Sequence, residues 1–344
     1  MGERRRRGPG GGPPGRRLPG RGFLAQAGVG RVSLAVLLLV AACSGTPGGT
    51  PGGSGGGSGP QGSGSVRVVT TTTVLADLVR QVGGSRVRVE SLAPLGGVVE
   101  TYEPSPSDIA RVASAALVVA NGLGIDAWFD RIAADTTAGR VPVVRLAENL
   151  PGATYLRGDQ PVAGQAATGS GGEVNPHLWM NVTYARGYVQ RIADALSSVD
   201  PAGAATYRSG AAAYDARLAM LDAWVRERIA TIPPGNRKLV SLHEAFPYYA
   251  AAYGLQIVGS VLSAPGQDPS AGQVAALVDA IRSSGARAVF TEAQFSPKLA
   301  EQIAAEAGVP VVSNLYNDTL GPPPVDSYEG LIRWDTERVV EALR

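Results

Sequence analysis

Only two histidines occur in the 344 residues, so any imidazole chemistry must pass through His177 and His243. His177 follows Asn175-Pro176 at the end of a Gly-rich stretch, and His243 follows Leu239 to Leu242, an apolar run that reads as a strand. In open parallel sheets ligands bind beyond the carboxyl ends of strands. Two acids sit in comparable places. Glu100 lies beyond the strand-like run Arg86 to Ser91, and Asp318 falls five residues after Ser313, beyond another. Two imidazoles and two carboxylates are a credible first shell for a divalent transition metal. Two anionic groups offset the +2 charge and make its burial tolerable. Four protein ligands leave little room for a reactive water, so such a site would hold an ion rather than use it. Taken singly, each residue has a plainer reading: a lone His is more often a hydrogen-bonded structural residue, and a loop acid is usually solvated.

The elements that must position these residues alternate between strand and helix. Val66 to Thr70 reads as a strand, Val74 to Val82 as a helix, and Ala116 to Ala120 and Val143 to Leu146 as further strands. After position 235 the rhythm returns, with strands at 239–242, 255–261, 288–290 and 309–313 and a last helix over 326–343. That alternation predicts parallel sheets flanked by helices. Between the two series, Asp200-Pro201 reads as an N-cap with proline at the first helical position. Tyr207, Ala211, Tyr214, Leu218, Leu221, Val225 and Ile229 then keep one helical face apolar until Pro233-Pro234. About 30 helical residues span roughly 45 Å, which suits a spine joining two lobes. The fold class expected is therefore α/β, with two lobes, 66–199 and 235–344, joined by one long rigid helix within 200–234.

The amino terminus reads differently. Residues 1–42 hold eight Arg and one Glu, a charge of +7, so the remainder carries −5 of the overall +2. The basic character belongs to this leader, and no nucleic-acid partner is implied. An apolar run from Val32 to Ala42 is too short to span a bilayer and matches a secretory signal. It ends in Val40-Ala41-Ala42-Cys43, which resembles a bacterial lipoprotein processing site, with Cys43 as the lipidated residue. The alternative is a lone buried cysteine. Residues 44–65 are nearly all Gly, Ser, Pro and Thr, the composition of a flexible tether. A single Cys excludes a disulfide scaffold and any multi-cysteine metal cluster. Lys238 and Lys298, the only lysines, follow Arg237 and Pro297, so no P-loop exists. Gly122-Leu123-Gly124-Ile125-Asp126-Ala127 fits a nucleotide-binding turn, but it does not follow the first strand of its unit. His243-Glu244 begins a zinc-protease pattern that Pro247 breaks.

Several segments carry a family resemblance, in matching order and spacing: Tyr102-Glu103-Pro104-Ser105-Pro106-Ser107-Asp108, Asn121-Gly122-Leu123-Gly124, Asn175-Pro176-His177-Leu178-Trp179-Met180, Ser241-Leu242-His243-Glu244-Ala245-Phe246, Thr291-Glu292 and Asp318-Thr319-Leu320-Gly321. Through them the chain resembles the metal-binding solute-binding proteins of bacterial ABC transporters for zinc and manganese. The resemblance covers nearly all of 66–344. It implies two α/β lobes joined by a long helix, with the metal held between them. It assigns His177, His243 and Asp318 as ligands. Members usually have His before the Thr-Tyr-Glu-Pro run, whereas this chain has Glu100, which is expected to coordinate in its place. The alternative is that Glu100 points away and water or Glu292 completes the shell; otherwise Glu292 is expected to brace a ligand or bridge the lobes. The implied cargo is Mn(II) or Zn(II), with Fe(II) admissible. The implied setting is extracytoplasmic and lipid-anchored, with a permease and its ATPase as partners, and a monomer is expected. Two other functions share these residues: a metallohydrolase with a catalytic zinc, and a surface adhesin or metallophore-binding relative.

Overall fold

Short runs of β-branched residues, each followed by an amphipathic helix, build two sheets of one design. The structure, a computed structural model, describes residues 65–136, 140–157, 173–262 and 269–344. The signal segment, Cys43, the tether before Ser65 and positions 158–172 of the Gly-rich stretch lie outside those residues. No helix among the described residues is long and apolar enough to cross a membrane.

The first sheet comprises β1 (Val66–Thr70), β2 (Val87–Ser91), β3 (Leu117–Ala120) and β4 (Val143–Arg145), in the order β2-β1-β3-β4. The second comprises β5 (Lys238–His243), β6 (Gln256–Leu262), β7 (Val289–Glu292) and β8 (Val311–Leu315), in the order β6-β5-β7-β8. All pairings are parallel. Each sheet therefore reverses its winding once, between β1 and β3 and between β5 and β7, and such reversals open a crevice at the strand ends. The α/β expectation holds, with most strands within two residues of where the sequence put them.

Helices α1 (Thr73–Gly83), α2 (Pro106–Ala113), α3 (Ala127–Thr136) and α4 (Val182–Val199) accompany the first sheet. The second carries α6 (Pro247–Tyr253), α7 (Ala271–Ser284), α8 (Lys298–Ala307) and α9 (Tyr328–Leu343). Their starts follow local chemistry. Ser105 and Asp108 form a reciprocal capping box on α2, Ser270 and Gln273 another on α7, and Asn181 Oδ1 accepts from Thr183 N to open α4. Helix α4 has no counterpart in the sequence reading. Its buried face, Val182, Ala185, Tyr188, Val189, Ile192, Ala193 and Leu196, has plain helical spacing.

The long helix α5 (Ala204–Ala230) buries Tyr207, Ala211, Tyr214, Leu218, Leu221, Val225 and Ile229, the seven positions that the periodicity selects. Asp200 does not cap it. A 3-10 turn over Pro201–Gly203 intervenes, and the Asp200 carboxylate instead accepts from Arg86 Nη2 at 2.7 Å and from the Tyr207 hydroxyl at 2.6 Å. Helix α5 packs on α1 and α4 from one lobe and on α6 and α9 from the other. One continuous apolar core runs from Val68 through these helices to Leu343, while smaller cores cover the outer face of each sheet. A large shared apolar interface ties lobes together where a small polar one would let them swing.

The central core also contains a buried acid. Asp335 of α9 is fully buried, its Oδ1 accepts from Tyr316 N at 3.0 Å, and its Oδ2 has no partner. Burial pushes its carboxyl well above the usual carboxylate range; the Tyr316 N–H opposes that shift and the charge of Glu292 adds to it. The folded state thus keeps a proton that the unfolded chain releases above about pH 4, and stability falls as pH rises from there. Asp335→Asn keeps an oxygen for Tyr316 N and removes the ionisation. Urea unfolding should show the variant more stable than the parent at pH 8, with the gap closing toward pH 4; a gap independent of pH would contradict a buried neutral acid.

Candidate metal centre

His243 is the last residue of β5 and Glu292 the last of β7, so the two flank the crevice of the second sheet. Asp318 follows β8, and its backbone N–H donates to Asn317 Oδ1 at 2.6 Å. Gln294 donates from Nε2 to Asn317 Oδ1 at 2.6 Å and to Asp318 Oδ2 at 3.4 Å. From the other lobe, His177 stands at the head of a 3-10 turn, Leu178–Met180, that leads into α4. Asn175 Oδ1 accepts from His177 N at 3.0 Å, and Asn175 Nδ2 donates to Glu244 O at 2.7 Å, tying this segment to the far lobe. Trp179 donates from Nε1 to Asn317 O at 2.9 Å, a second tie. Glu100 follows buried Val99, whose carbonyl accepts from Trp128 Nε1 at 2.8 Å.

These segments bring Glu100, His177, His243 and Asp318 together, with one ligand atom from each lying within 4.8 Å of the others. His177 Nε2 is 3.2 Å from Asp318 Oδ1 and 3.8 Å from Glu100 Oε1. His243 Nε2 is 3.5 Å from Asp318 Oδ2 and 4.0 Å from Glu100 Oε1. Bonds of about 2.1 Å around a tetrahedral ion would set donor atoms roughly 3.4 Å apart, near the short end of these distances. The atoms are near but not aligned with one another: Glu100 Oε2, His177 Nε2, His243 Nε2 and Asp318 Oδ1 are all buried and make no hydrogen bond. Buried polar atoms are normally satisfied, so four orphans in one place mark a site shaped for something that supplies the missing interactions.

The opposite edge of each ring decides its tautomer. His177 Nδ1 faces Asn175 Oδ1 at 3.1 Å, and that oxygen is identified by the backbone N–H it also accepts, so Nδ1 carries the proton. His243 Nδ1 faces Glu292 Oε1 at 3.3 Å, closer than the Asn317 amide Nδ2 at 3.5 Å, so the nearer acceptor places the proton on Nδ1. Both Nε2 lone pairs therefore point into the cluster. Glu292 lies behind His243 and outside the four-donor group; the reserve position that the sequence leaves open for it corresponds to the bracing one. Asn175, Asn317 and Gln294 carry no signal in the sequence beyond their nearness to the histidines and acids.

Burial opposes a charge on either ring, yet the net effect on both is upward. For His177 the carboxylates of Asp318 and Glu100 outweigh burial; for His243 those of Glu292 and Asp318 do, and the rise is larger. Burial likewise opposes ionisation of Asp318, and the two imidazoles overcome it, holding that carboxyl well below its usual range. Without a cation the cluster balances itself by taking protons.

Comparison with known proteins agrees with this architecture. Residues 68–342 match the family model described as "ZnuA: Zinc-uptake complex component A periplasmic". The "Iron-binding protein YfeA" of Yersinia pestis is 32% identical over 279 residues, covering 80% of this chain and 86% of that protein. The "Manganese-binding lipoprotein MntA" of Halalkalibacterium halodurans is 28% identical over 280 residues, covering 81% and 88%. Among solved structures, the periplasmic zinc-binding protein TroA of Treponema pallidum superposes with a TM-score of 0.73 at 24% identity, over 81% of this chain and 99% of that one. The manganese-bound periplasmic metal-binding protein of Candidatus Liberibacter asiaticus gives 0.72 at 22% identity, over 81% and 100%. At such identities the shared feature is the fold. A family model that spans both sheets, the long helix and the four-donor cluster leaves one conclusion: the chain belongs to the ZnuA family of zinc-uptake complex components.

Proposed function

We propose that this chain captures a divalent transition metal outside the cytoplasmic membrane and hands it to an ABC permease and its ATPase. Glu100, His177, His243 and Asp318 are the proposed ligands. The observation that carries the reading is four residues with ligand atoms within 4.8 Å of one another, each also holding a buried polar atom without a hydrogen-bond partner. Lipidation at Cys43 would hold the domain at the membrane surface, with residues 44–65 as its tether. The names of the relatives, which bind iron or manganese, support a cargo of this class. A hydrolase at the same residues is disfavoured by the donor count and by Glu292, a candidate base, being engaged with His243.

Two effects bear on the choice of ion. Glu100 stands where an imidazole is usual, and a carboxylate hardens the shell toward Mn(II) and Fe(II). Zn(II) nevertheless outranks both in raw affinity at most nitrogen and oxygen sites. Release is proposed to proceed by movement of the ligand-bearing segments rather than by wide lobe opening, because the apolar core continuous through α5 resists a swing.

The direct test is elemental analysis of residues 66–344 purified from metal-supplemented medium, then Mn(II) and Zn(II) titration of the stripped protein. A protein that binds neither refutes the proposal. Glu100→Ala should weaken binding roughly 100-fold, at or beyond the upper end of what bracing residues cost, while circular dichroism stays unchanged. Glu100→His should shift the Zn(II)-to-Mn(II) affinity ratio toward Zn(II). Glu292→Gln should cost roughly 10–100-fold in affinity, because His243 loses the carboxylate that sets its tautomer.

The imidazoles predict opposite pH trends for empty and loaded protein. Their raised pKa values stabilise the empty fold fully below about pH 6.5, and that stability is lost as pH rises through the higher folded values. Metal must displace those protons, so affinity should rise over the same window and binding should release protons. Calorimetry in buffers of different ionisation enthalpy reads that release directly. No proton release on the acid side of the window would argue against imidazole ligation.

A further inference from the structure

Thr319 directly follows Asp318 and is nearly fully buried, but its side chain faces the other lobe. Its Oγ1 accepts from Gly96 N at 2.9 Å. It lies 3.3 Å from Thr73 Oγ1, at the start of α1, and donates to Leu320 O at 3.1 Å. Thr73 Oγ1 in turn accepts from Leu320 N at 2.8 Å. Proton counting closes this set. A hydroxyl has one proton and two lone pairs; Thr319 spends its proton on Leu320 O and accepts from Gly96 N and the Thr73 hydroxyl, while Thr73 accepts from Leu320 N.

Gly96 belongs to the segment that carries Glu100. Gly97 N donates to Pro94 O at 3.1 Å, and Gly96, with φ of +74°, occupies the left-handed third position of that four-residue turn. Four residues on is Glu100. The other fixed point of the segment is Val99 O, held by Trp128. The segment is therefore fastened at one end to its own lobe and at the other to the residue beside Asp318.

We propose that Thr319 is a positioning residue that couples the two carboxylates of the site, clipping the Glu100 segment to the Asp318 segment across the lobes, and so sets how slowly the ion leaves. This rests on the reading of Glu100 and Asp318 as ligands. While the clip is closed, Glu100 cannot withdraw without straining the half-buried hydrogen bond from Gly96 N to the residue next to Asp318. When it opens, the Glu100 segment is released from the Asp318 segment, while Gln294 and Asn317 still hold Asp318, so the ion leaves from the Glu100 side.

The experiment is a double-mutant cycle between Thr319→Val and Glu100→Ala in the tethered domain, reading stopped-flow transfer of Zn(II) to a chelating dye. Valine keeps the shape of threonine and removes its hydrogen bonds. Thr319→Val should speed dissociation about tenfold in the parent and have little effect in the Glu100→Ala background, because the residue it acts through is gone. Thr319→Ser should restore the slow rate. Thermal melts of the metal-free proteins report folding separately. An unchanged rate in Thr319→Val, or the same acceleration in both backgrounds, overturns the clip. If Glu100→Ala alone leaves affinity intact, the ligand reading fails first and the clip with it, a result distinguishable from the other two.

Discussion

Two imidazoles and two carboxylates gathered out of water without bonding one another form an unfavourable arrangement, and the surrounding structure is organised to maintain it. Isolated buried charges cost several kcal/mol each even after relaxation. Here they are kept apart from better partners. Asn175 and Glu292 occupy the Nδ1 edges of the two rings, so neither ring can turn its lone pair away. Gln294 and Asn317 hold Asp318 by its backbone and one oxygen and leave the other facing inward. The net charge of the donor set is negative when the rings are neutral. By charge alone, a divalent cation would offset such a set more completely than protons.

Such preorganisation needs a stiff frame, and the central core supplies it. Donors from both lobes must meet within a few ångströms, so any slack between lobes would be felt as lost ligand geometry. Helix α5 removes that slack by burying one face against helices of both lobes, and polar ties reinforce it at the site, from Trp179 to Asn317, Asn175 to Glu244 and Tyr328 to Trp179. Glu100 differs from the other three donors. Its side chain is 19% exposed while theirs are at most 5%, and no side chain braces its carboxylate among the hydrogen bonds described. The site is thus rigid on three sides, with one donor on a turn at the solvent edge.

Much of this was legible in the residues. The buried face of α5 followed from steps of three and four, and the strands from apolar runs bounded by Gly, Pro and Asp. The four clustered residues were picked out because each lies beyond a strand end or next to an unusual turn, which is a topological signal and does not require side-chain contacts. What escaped had a weaker local signature. Helix α4 follows directly on a 3-10 turn, and the Asn181 that opens it resembles a loop residue until its partner is seen, although its apolar spacing is plainly helical. Asp200 looked like a cap because Asp-Pro commonly is one; a salt bridge to Arg86, more than a hundred residues away in sequence, claims the carboxylate instead. Gln294 and Asn317 are invisible to pattern because their meaning lies wholly in tertiary neighbours, and Thr319 shows in the sequence only as part of the Asp318-Thr319-Leu320-Gly321 run, with nothing to mark its contact to Gly96.

The two sheets share one strand order but use their crevices differently, and this disposes of the nucleotide-like turn. In the first sheet the crevice between β1 and β3 is filled from within. Asp126 accepts from Thr71 Oγ1 at 2.7 Å, from Asn121 N at 2.7 Å and from Gly122 N at 3.0 Å. Backbone amides that would have to cradle a phosphate are already bonded to a carboxyl group of the same chain. Gly122 and Gly124, at φ of +82° and +90°, let the chain fold tightly over that acid. The equivalent crevice of the second sheet holds His243 and Glu292 instead, with the ring's free edge turned outward. An internal carboxylate makes one crevice a packing joint, and the lack of an internal partner for His243 Nε2 leaves the other open to an ion.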